Sequence, residues 1–387
     1  MNQILRAVRT HLGMDVGFIS EFLDGHRVFR NVETAEGSGC IEVGDSDPLE
    51  ESYCYWITQG KLPQLIRDPA DHPFTAEFPV TKALPVGAHL SVPIRLRDGR
   101  VYGTFCCFSF KPDLSLTERD LATIEAFAQI AGEQIQHVTD SGRARETKLS
   151  KVTALLRGRQ LQMVYQPALR LDSPRVEFVE ALARFHTEPY QTPDRWFATA
   201  AEVGLAPDLE LLAVTAALDG LDQLPEGTSL SINVSPATIL TRALSDVLAS
   251  APLHRLILEI TEHDTVSQYS ALNKALAPLR QRGLRVAVDD MGAGYSSLRH
   301  ILQIRPDLIK LDISLSQGID RDPARRALTS ALISFCREIG SELVAEGVET
   351  EEQLQMLRSL GVNLVQGFLL GRPLLLAEQD HLLRAAG

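Results

Sequence analysis

Three short apolar segments, RLILEIT (255–261), RVAVDD (285–290) and DLIKLDI (307–313), decide the fold of the C-terminal part of this chain. Each segment has the length of a strand and ends in polar or charged residues, and a helical stretch separates it from the next. Strands that alternate with helices form parallel βα units. The pattern therefore predicts a parallel sheet with polar side chains at the carboxyl ends of its strands.

The same pattern continues in both directions along the chain. RVEFVEAL (175–182) and SLSINVS (229–235) precede these segments, and ELVAEGV (342–348) and LVQGFLL (364–370) follow them. An eighth strand is expected near Val164 and Tyr165. Eight strands in about 230 residues match the size of a (β/α)8 barrel, whose active site lies at the carboxyl ends of the strands.

The seven visible strands all end in residues that can hold an ion or a water. These residues are Glu180, Asn233, Glu259, Asp289 with Asp290, Lys310, Glu346 and Gln366. A single glutamate at a strand end is more often a helix cap or a surface ion pair. Several carboxylates at one barrel mouth, however, are unfavourable unless cations neutralise them.

The chemistry of these side chains indicates which cations would bind. Carboxylate and amide oxygens, without His or Cys, suit Mg2+ or Mn2+ rather than zinc. Asp289 and Asp290 are adjacent, and a carboxylate can bridge two ions about 3.5–4 Å apart. The set therefore predicts a two-metal centre that activates water for displacement at phosphorus.

Three further features fit an anionic substrate at this mouth. Lys310 can orient or help deprotonate the attacking water, and Arg184, four residues after Glu180, can pair with a phosphate oxygen. Gly292 and Gly294 make MGAGYSSL (291–298) a flexible loop over the site. A surface arginine and a simple turn are the ordinary alternatives for these residues.

Composition excludes several classes of protein. Hydrophobic residues make up 44% and charged residues 23% of the 387, as in soluble globular proteins. A net charge of −12 without a Lys/Arg cluster argues against polymeric nucleic acid as a partner. No run of about 18 apolar residues predicts a membrane span, and the N-terminal segment MNQILRAVRTHLGMD lacks a signal-peptide core.

The five cysteines, Cys40, Cys54, Cys106, Cys107 and Cys336, form no CxxC pair and exclude a zinc knuckle or a disulfide framework. We expect reduced, mostly structural thiols in a cytoplasmic protein. Cys106 and Cys107 are neighbours in a predicted strand, so their side chains should point to opposite faces.

The N-terminal third predicts a separate α+β unit. Asp24-Gly25 and Asp98-Gly99 each lie between two apolar segments and predict β-hairpins. The flanking segments are FISEFL (18–23), RVFRNVE (27–33), HLSVPIRL (89–96) and RVYGTFCCFSF (100–110). Helices are expected over residues 2–13 and near 48–59.

A third helix is expected to begin with a capping box of Ser115 and Glu118 and to reach about Val138. The polar segment 137–152 follows, and the spacing of Leu149, Val152 and Leu155 can extend the helix as a connector. Two interpretations stay open: a solvated linker helix, or a parallel coiled coil that makes the protein a homodimer. We expect a homodimer.

Eight ordered blocks connect the C-terminal unit to a known family. They are YQP (165–167), VEALAR (179–184), INVSP (232–236), LEITE (258–262), VDDMGAGYSSL (288–298), PDLIKLD (306–312), VAEGVET (344–350) and QGFLLGRP (366–373). Together these blocks resemble the EAL-domain family over roughly residues 160–375. The resemblance implies a TIM-like (β/α)8 barrel with an antiparallel first strand. It also implies hydrolysis of cyclic di-GMP to linear pGpG with two Mg2+ or Mn2+ ions.

The resemblance implies a role for each matching residue. The implied metal ligands are Glu180, Asn233, Glu259, Asp289 and Asp290, and the implied catalytic residues are Lys310, Glu346 and Glu180. The implied contacts to the dinucleotide are Gln166, Leu182, Arg184, Asp290, Glu349 and Gln366, and Glu262 would anchor the loop with Gly292 and Gly294. Met291 and Ala293 replace the Phe and Thr usual in that loop, which puts loop dynamics and rate in doubt more than chemistry.

The N-terminal third more loosely resembles a GAF domain, through VPIRLRDGRVYGTFCCFSF (92–110) and LTERDLATIEAFAQIAGEQI (116–135). It lacks the Cys-His pair that attaches a bilin, so a photosensor is not expected. Cys54 in SYCYW (52–56) can line the GAF pocket or be a buried structural thiol. We expect a GAF-like domain over 1–140 that binds an unknown small ligand, a connector over 141–158 and an EAL domain over 159–387.

Two alternatives to a GAF-regulated phosphodiesterase come from other classes. A degenerate EAL domain would bind cyclic di-GMP as a receptor without cutting it, and loss of a metal ligand or of the lysine would mark that class. No such residue is lost here. An enolase-like lyase would also use divalent cations in a barrel, but it leaves the Asp289-Asp290 pair and Arg184 unexplained.

Overall fold

A computed structural model of the chain describes residues 1–37, 39–76, 81, 86–173, 175–261, 269–291 and 297–379, without the side chains of residues 261, 290, 297 and 298. The chain divides into two compact units, residues 1–144 and 145–387. Among the described residues, no helix is both long and apolar enough to cross a membrane.

The N-terminal unit is built on a six-stranded antiparallel sheet. Its elements are α1 (Asn2–His11), β1 (Val16–Leu23), β2 (His26–Thr34), β3 (Ser46–Pro48), α2 (Tyr53–Thr58), β4 (Leu65–Ile66), α3 (Pro73–Ala76), β5 (Ala88–Arg95), β6 (Val101–Ser109) and the start of α4 (Glu118–Gly158), with 3-10 turns at Leu49–Glu51 and Pro69–Asp71. The strand order is β3-β2-β1-β6-β5-β4.

Both predicted hairpins are present in this sheet. Asp24 and Gly25 have φ angles of 48° and 78°, so they form the two-residue turn whose twist matches that of the flanking strands β1 and β2. Around Gly99 the loop is longer, and the amide of Leu96 donates to the carbonyl of Arg100 over 2.9 Å. β5 and β6 pair antiparallel on either side of it.

The two faces of the sheet have separate cores. On one face, Cys107 packs with Leu5 of α1 and Ile124 of α4. On the other face, Cys106 packs with Phe18, Phe29 and Cys54. The prediction that the neighbouring cysteines point to opposite faces is therefore confirmed, as the twofold alternation of a strand requires.

The start of α4 differs from the prediction. The side chain and amide of Ser115 bind Asp113, whereas the amide and hydroxyl of Thr117 each donate to the carboxylate of Asp120 over 2.8 Å. The capping box at Ser115 and Glu118 is thus wrong, because Asp113 engages Ser115 in a turn of its own and Thr117 caps instead. The helix then continues without a break to Gly158, through the residues expected to form the connector.

The C-terminal unit is a closed eight-stranded barrel. Its strands are β7 (Leu161–Arg170), β8 (Arg175–Phe185), β9 (Ser229–Asn233), β10 (Leu256–Thr261), β11 (Arg285–Met291), β12 (Leu308–Leu311), β13 (Glu342–Ala345) and β14 (Leu364–Gln366). Its further helices are α5 (Pro193–Val203), α6 (Ala206–Leu218), α7 (Pro236–Ile239), α8 (Arg242–Leu248), α9 (Tyr269–Gln281), α10 (Ser297–Ile304), α11 (Ile313–Ser316), α12 (Pro323–Ile339) and α13 (Glu351–Leu360), with 3-10 turns at Leu221–Gln223, Leu253–Arg255 and Leu376–Glu378.

The order around the barrel is β10-β11-β12-β13-β14-β7-β8-β9. β7 runs antiparallel to both of its neighbours, β8 and β14, while every other pair in the barrel is parallel. The (β/α)8 barrel with an antiparallel first strand is therefore confirmed. The hidden eighth strand is β7, which includes Val164 and Tyr165.

Seven apolar side chains, one from each of seven strands, fill the interior of the barrel below its mouth. We call this group the apolar plug. They are Ala168, Phe178, Ile257, Ala287, Leu308, Val344 and Leu364, and all are buried. Each is two residues from a polar residue that belongs to its own strand or, for Val344, directly follows the strand, so both lie on the same, inward face. The apolar plug thus determines where a polar layer forms above it.

Candidate active site

The polar layer lies directly above the apolar plug. In the six parallel strands that contribute to the plug, the polar residue comes two positions after the apolar one, giving Glu180, Glu259, Asp289, Lys310, Glu346 and Gln366. In the antiparallel β7 the order is reversed, and Gln166 comes two positions before Ala168. One mouth of the barrel therefore collects the side chains that the strand ends predict.

Lys310 is the centre of this layer. Its side chain is 1% exposed, and its Nζ lies 2.7 Å from Glu259 Oε2 and 2.7 Å from Glu346 Oε1. Glu180 Oε2 is 3.2 Å away and Asp289 Oδ1 is 3.5 Å away. One ammonium group thus contacts four carboxylates that come from four other strands or strand ends.

Amide groups hold Glu180 from two sides. Asn233 donates to its Oε1 over 2.9 Å, and Gln366 donates to its Oε2 over 2.8 Å. Burial disfavours the charged form of Glu180, but Lys310 and these amide donors outweigh burial and hold the pKa of the carboxyl below its ordinary value. Glu180 is therefore fixed in position as a carboxylate.

The other carboxylates exceed the charge that Lys310 can balance. Burial, reinforced by the charge of Glu180, raises the pKa of Glu259 well above its ordinary value. Burial also raises the pKa of Glu346 to about 8, although Lys310 opposes the shift. A site with this much unbalanced negative charge favours cations.

The donor set fits hard divalent cations. Glu180, Glu259 and Asp289 present carboxylate oxygens and Asn233 an amide, the ligands that Mg2+ and Mn2+ take in proteins. The side-chain oxygen of Gln366 is buried without a hydrogen-bond partner in the part of the chain that the structure describes, although such oxygens are nearly always paired. It is a free acceptor at the edge of the same layer.

The residues implied to contact substrate line two cavities. Gln166, Glu349 and Gln366 line a cavity of about 270 Å³ together with Glu180 and Glu346. Leu182 and Arg184 line a second cavity of about 650 Å³ together with Asn233. Glu180 and Asn233 line one cavity each and are hydrogen-bonded to each other.

Arg184 does not form an ion pair in this arrangement within the described part of the chain. Its Nη1 donates to the carbonyl of Ala183, the preceding residue, over 2.8 Å. The guanidinium is half-buried at the wall of the larger cavity. It is therefore a cation whose charge is available to an anionic ligand.

Some sequence-predicted residues lie outside the described part of the chain. These are Glu262, Gly292 and Gly294, together with the side chain of Asp290, whose backbone belongs to β11. Conversely, sequence reasoning missed Ser231, whose hydroxyl donates to Oε1 of Glu259 over 2.5 Å. Its position two residues before Asn233 in β9 is the signal that could have found it, since alternate residues of a strand share a face.

Comparison with known proteins adds to this geometry. The family model of the EAL domain matches residues 150–373, more than half of the chain. The chain belongs to the EAL domain family. The family model of the GAF domain matches residues 1–135, so a GAF domain precedes the EAL domain.

Two curated relatives come from Pseudomonas aeruginosa. Cyclic di-GMP phosphodiesterase NbdA is 33% identical over 242 residues, which cover 59% of this chain and 31% of NbdA. Cyclic di-GMP phosphodiesterase RocR is 30% identical over 251 residues, which cover 59% of this chain and 62% of RocR. The chain thus spans less than two thirds of either relative, and both similarities are of the extent expected for a shared EAL domain.

A solved structure gives the same result in three dimensions. Klebsiella pneumoniae BlrP1, in a complex with manganese and cyclic di-GMP, is 33% identical with a TM-score of 0.51. The match covers 56% of this chain and 57% of BlrP1. The EAL barrel described above is therefore the part of the molecule that has solved relatives with a metal and a dinucleotide bound.

Proposed function

We propose that the EAL domain of this chain hydrolyses one phosphodiester bond of cyclic di-GMP to give linear pGpG, with Mg2+ or Mn2+ as cofactor. The observation that carries the proposal is the convergence of Glu180, Glu259, Asp289 and Glu346 on Lys310 at the barrel mouth. The relatives NbdA and RocR are cyclic di-GMP phosphodiesterases, and BlrP1 binds manganese and cyclic di-GMP, which supports this substrate and a divalent metal.

The metal ligands in this proposal are Glu180, Asn233, Glu259, Asp289 and Asp290. When bound, two divalent cations lower the pKa of a water and stabilise the charge that develops on the transferring phosphate. Glu180 is held as a carboxylate by Asn233 and Gln366, so it meets a cation already ionised and oriented. Such fixed ligands need little reorganisation on binding.

Lys310 and Glu346 carry the remaining chemistry in this proposal. The Nζ of Lys310 carries three protons that face carboxylates, and when cations take up some of these carboxylates a proton becomes available to orient a water nucleophile. Glu346 lies beside it, with its Oε1 2.7 Å from that Nζ, where a carboxylate could take a proton from the water. Both groups touch the reacting atoms and are the proposed catalytic residues.

The substrate contacts in this proposal divide between the two cavities. Gln166, Gln366 and Glu349 in the smaller cavity contact one part of the dinucleotide, and Leu182 and Arg184 in the larger cavity contact another. Arg184 meets a phosphate oxygen, since its guanidinium lacks a carboxylate partner among the described residues. Glu180 and Asn233, which line one cavity each, are hydrogen-bonded to each other, and the scissile bond would lie beside them.

A turnover assay with product identification tests the proposal. Purified full-length chain, incubated with cyclic di-GMP and Mn2+, should give pGpG as the product seen by chromatography. The variant Lys310→Ala should lose turnover but still bind cyclic di-GMP in calorimetry, because the lysine acts on the water. Binding without any turnover by the wild-type chain would favour the receptor function instead.

We also propose that the GAF domain regulates this activity through α4 and that the working unit is a homodimer. The support is that α4 continues as one helix from Glu118 to Gly158, without a Gly/Pro-rich break, from the region matched by the GAF model into the region matched by the EAL model. A continuous helix transmits a small change more directly than a flexible linker. We expect the full-length protein to sediment as a dimer at micromolar concentration. A monomer with the same activity as the isolated barrel would contradict the proposal.

A further inference from the structure

Two sulfurs and an imidazole meet inside the GAF domain. Cys54 of α2, His89 of β5 and Cys106 of β6 are buried, at 0%, 3% and 0% exposure. One donor atom from each residue lies within 4.8 Å of the donor atoms of the other two. Three elements distant in sequence therefore bring together the ligand types that bind zinc and similar transition metals.

We propose that Cys54, His89 and Cys106 form a binding site for a thiophilic divalent cation of the zinc class, with a fourth coordination position open to a small ligand. The site uses sulfur and nitrogen donors, whereas the barrel mouth presents oxygens. It is independent of the proposed phosphodiester chemistry, and each can fail without the other.

The spacing of the donors is close to that of a metal site. The two sulfurs are 3.2 Å apart. Zinc–sulfur bonds of about 2.3 Å in tetrahedral geometry put two sulfurs about 3.8 Å apart. The sulfurs therefore need to separate by only about half an ångström to hold a cation between them.

His89 supplies an independent indication of a missing partner. Its Nδ1 is buried without any hydrogen-bond partner among the described residues. Buried polar atoms are nearly always paired, so an orphaned ring nitrogen beside two thiols needs an explanation. The ring of Tyr53 packs edge-on against the imidazole at a centroid distance of 5.3 Å and holds its orientation. A metal ion would use one ring nitrogen and fix the tautomer of the other.

Arg27 prepares Cys54 for metal binding. Its Nη1 lies 3.1 Å from the sulfur of Cys54, and its Nε donates to Asp47 over 2.9 Å. The guanidinium thus places a positive charge beside this sulfur, which favours a thiolate there. Thiolates are the form that binds metals.

The charges of the proposed site balance. Two thiolates and a divalent cation are neutral together, and Arg27 and Asp47 form a neutral pair next to them. A neutral group avoids the cost of burying net charge in the core of the domain. Ser91 and Thr104, with hydroxyls 2.9 Å and 3.1 Å from the sulfur of Cys106, complete the outer shell of polar contacts.

A small cavity borders the site on its His89 side. His89 and Arg27, but neither cysteine, line this cavity of about 20 Å³, whose other walls include Phe18, Phe29 and Phe108. That volume is enough for about one water-sized molecule. Three protein ligands with an open fourth position are typical of reactive rather than purely structural zinc sites. The site would therefore sense a small ligand that binds the metal.

The test titrates the full-length chain with Co2+. The protein is reduced with a phosphine, stripped with a chelator and kept in excess Mg2+, so that the carboxylates of the barrel are occupied. One Co2+ per chain should give the near-ultraviolet absorption of a thiolate-to-cobalt charge transfer, and Zn2+ should displace it. Oxygen ligands in the barrel do not give that absorption, which separates the two sites.

Matched variants locate the site. Cys106→Ser should lose the absorption, while Cys107→Ser, one residue away on the opposite face, should keep it. His89→Gln removes the nitrogen ligand of the proposed site. Circular dichroism verifies that each variant is folded. Zn2+ should also raise the melting temperature of the wild-type chain but not that of Cys106→Ser.

Two results would overturn the proposal. One is the absence of thiolate-to-cobalt absorption in reduced wild-type protein in which all five thiols are counted as free. The other is an absorption that survives in Cys106→Ser. A count of three free thiols in protein purified under reducing conditions would show a disulfide between Cys54 and Cys106 and would overturn the metal site as well.

Discussion

The ammonium group of Lys310 lies 2.7 Å from Oε2 of Glu259, and the two side chains are 1% and 0% exposed. Such a buried ion pair contributes little net stability, because both charges lose their hydration. The role of this ion pair depends on the charges that surround it. Glu180, Asp289 and Glu346 also contact Lys310, so the site holds excess negative charge that divalent cations would neutralise.

Lys310→Met should lower the free energy of unfolding of the metal-free protein. The loss should be much smaller in excess Mn2+. Without the ammonium, buried carboxylates lose their cation, and breaking such a pair costs about 3–5 kcal/mol. Bound Mn2+ would supply the missing positive charge. Urea unfolding with and without Mn2+ measures both effects, and Lys148→Met, which removes a half-exposed lysine paired with Glu202, is the control. A loss of stability that Mn2+ leaves unchanged would contradict the prediction.

Ser231→Ala should weaken Mn2+ binding by about tenfold while the fold stays intact. The hydroxyl of Ser231 donates to Oε1 of Glu259 and orients this proposed ligand. Calorimetric titration of Mn2+ gives the Kd. Ser334→Ala removes an exposed hydroxyl that bonds only within its own helix and should leave the Kd unchanged. Equal Kd values for Ser231→Ala and the wild type would exclude this positioning role.

Arg184→Ala should raise the KM for cyclic di-GMP by about 10- to 100-fold and leave kcat nearly unchanged. Hydrogen bonds to charged groups contribute about 1.5–3 kcal/mol, which corresponds to that range. Arg242→Ala, which removes a highly exposed arginine from α8, is the matched control. Steady-state kinetics in Mn2+ distinguishes the two constants. A fall in kcat at constant KM would assign Arg184 to the chemical step instead.

Ca2+ should inhibit turnover in competition with Mn2+. Both ions take carboxylate oxygens, but Ca2+ is larger, has longer bonds and a looser geometry, and so positions water poorly. Turnover measured at fixed Mn2+ and increasing Ca2+ should fall, and added Mn2+ should restore it. Full activity with Ca2+ as the added metal would contradict the geometric argument.

Gly142→Pro should change turnover at least about fivefold if α4 couples the GAF domain to the barrel. Proline interrupts the helix at this point, whereas Gly142→Ala adds a Cβ that meets nothing within 4 Å and should strengthen it. The comparison of the two variants thus isolates helix continuity from the loss of glycine. Equal turnover in both variants and in the wild type would show that the GAF domain does not act through α4.

The barrel and the polar layer of its mouth could be predicted because both follow from the twofold alternation of strands. An apolar residue such as Ile257 or Leu308 faces the core, so Glu259 and Lys310, two positions later, face the same interior. Short connections between strands and helices then bring the strand ends to one mouth. Local pattern and global fold agree at these positions.

The helix cap, the division of the site into two cavities and the cysteine–histidine cluster could not be predicted from residue spacing. Ser115 and Thr117 both precede an acidic residue by three positions, and only the competing bond to Asp113 decides against Ser115. Arg184 and Glu180 both belong to β8, and their spacing does not show that they line different cavities. The meeting of Cys54 with His89 and Cys106 requires the packing of α2 on the sheet, which no sequence period contains.

The most direct test of the catalytic centre follows turnover of cyclic di-GMP as Mn2+ is returned to the metal-stripped full-length protein. The account predicts no pGpG without metal, saturable activation as Mn2+ is added, and no activation of Glu180→Ala, which lacks the carboxylate held by Asn233, Gln366 and Lys310. Undiminished turnover after stripping, or undiminished turnover of Glu180→Ala, would contradict it.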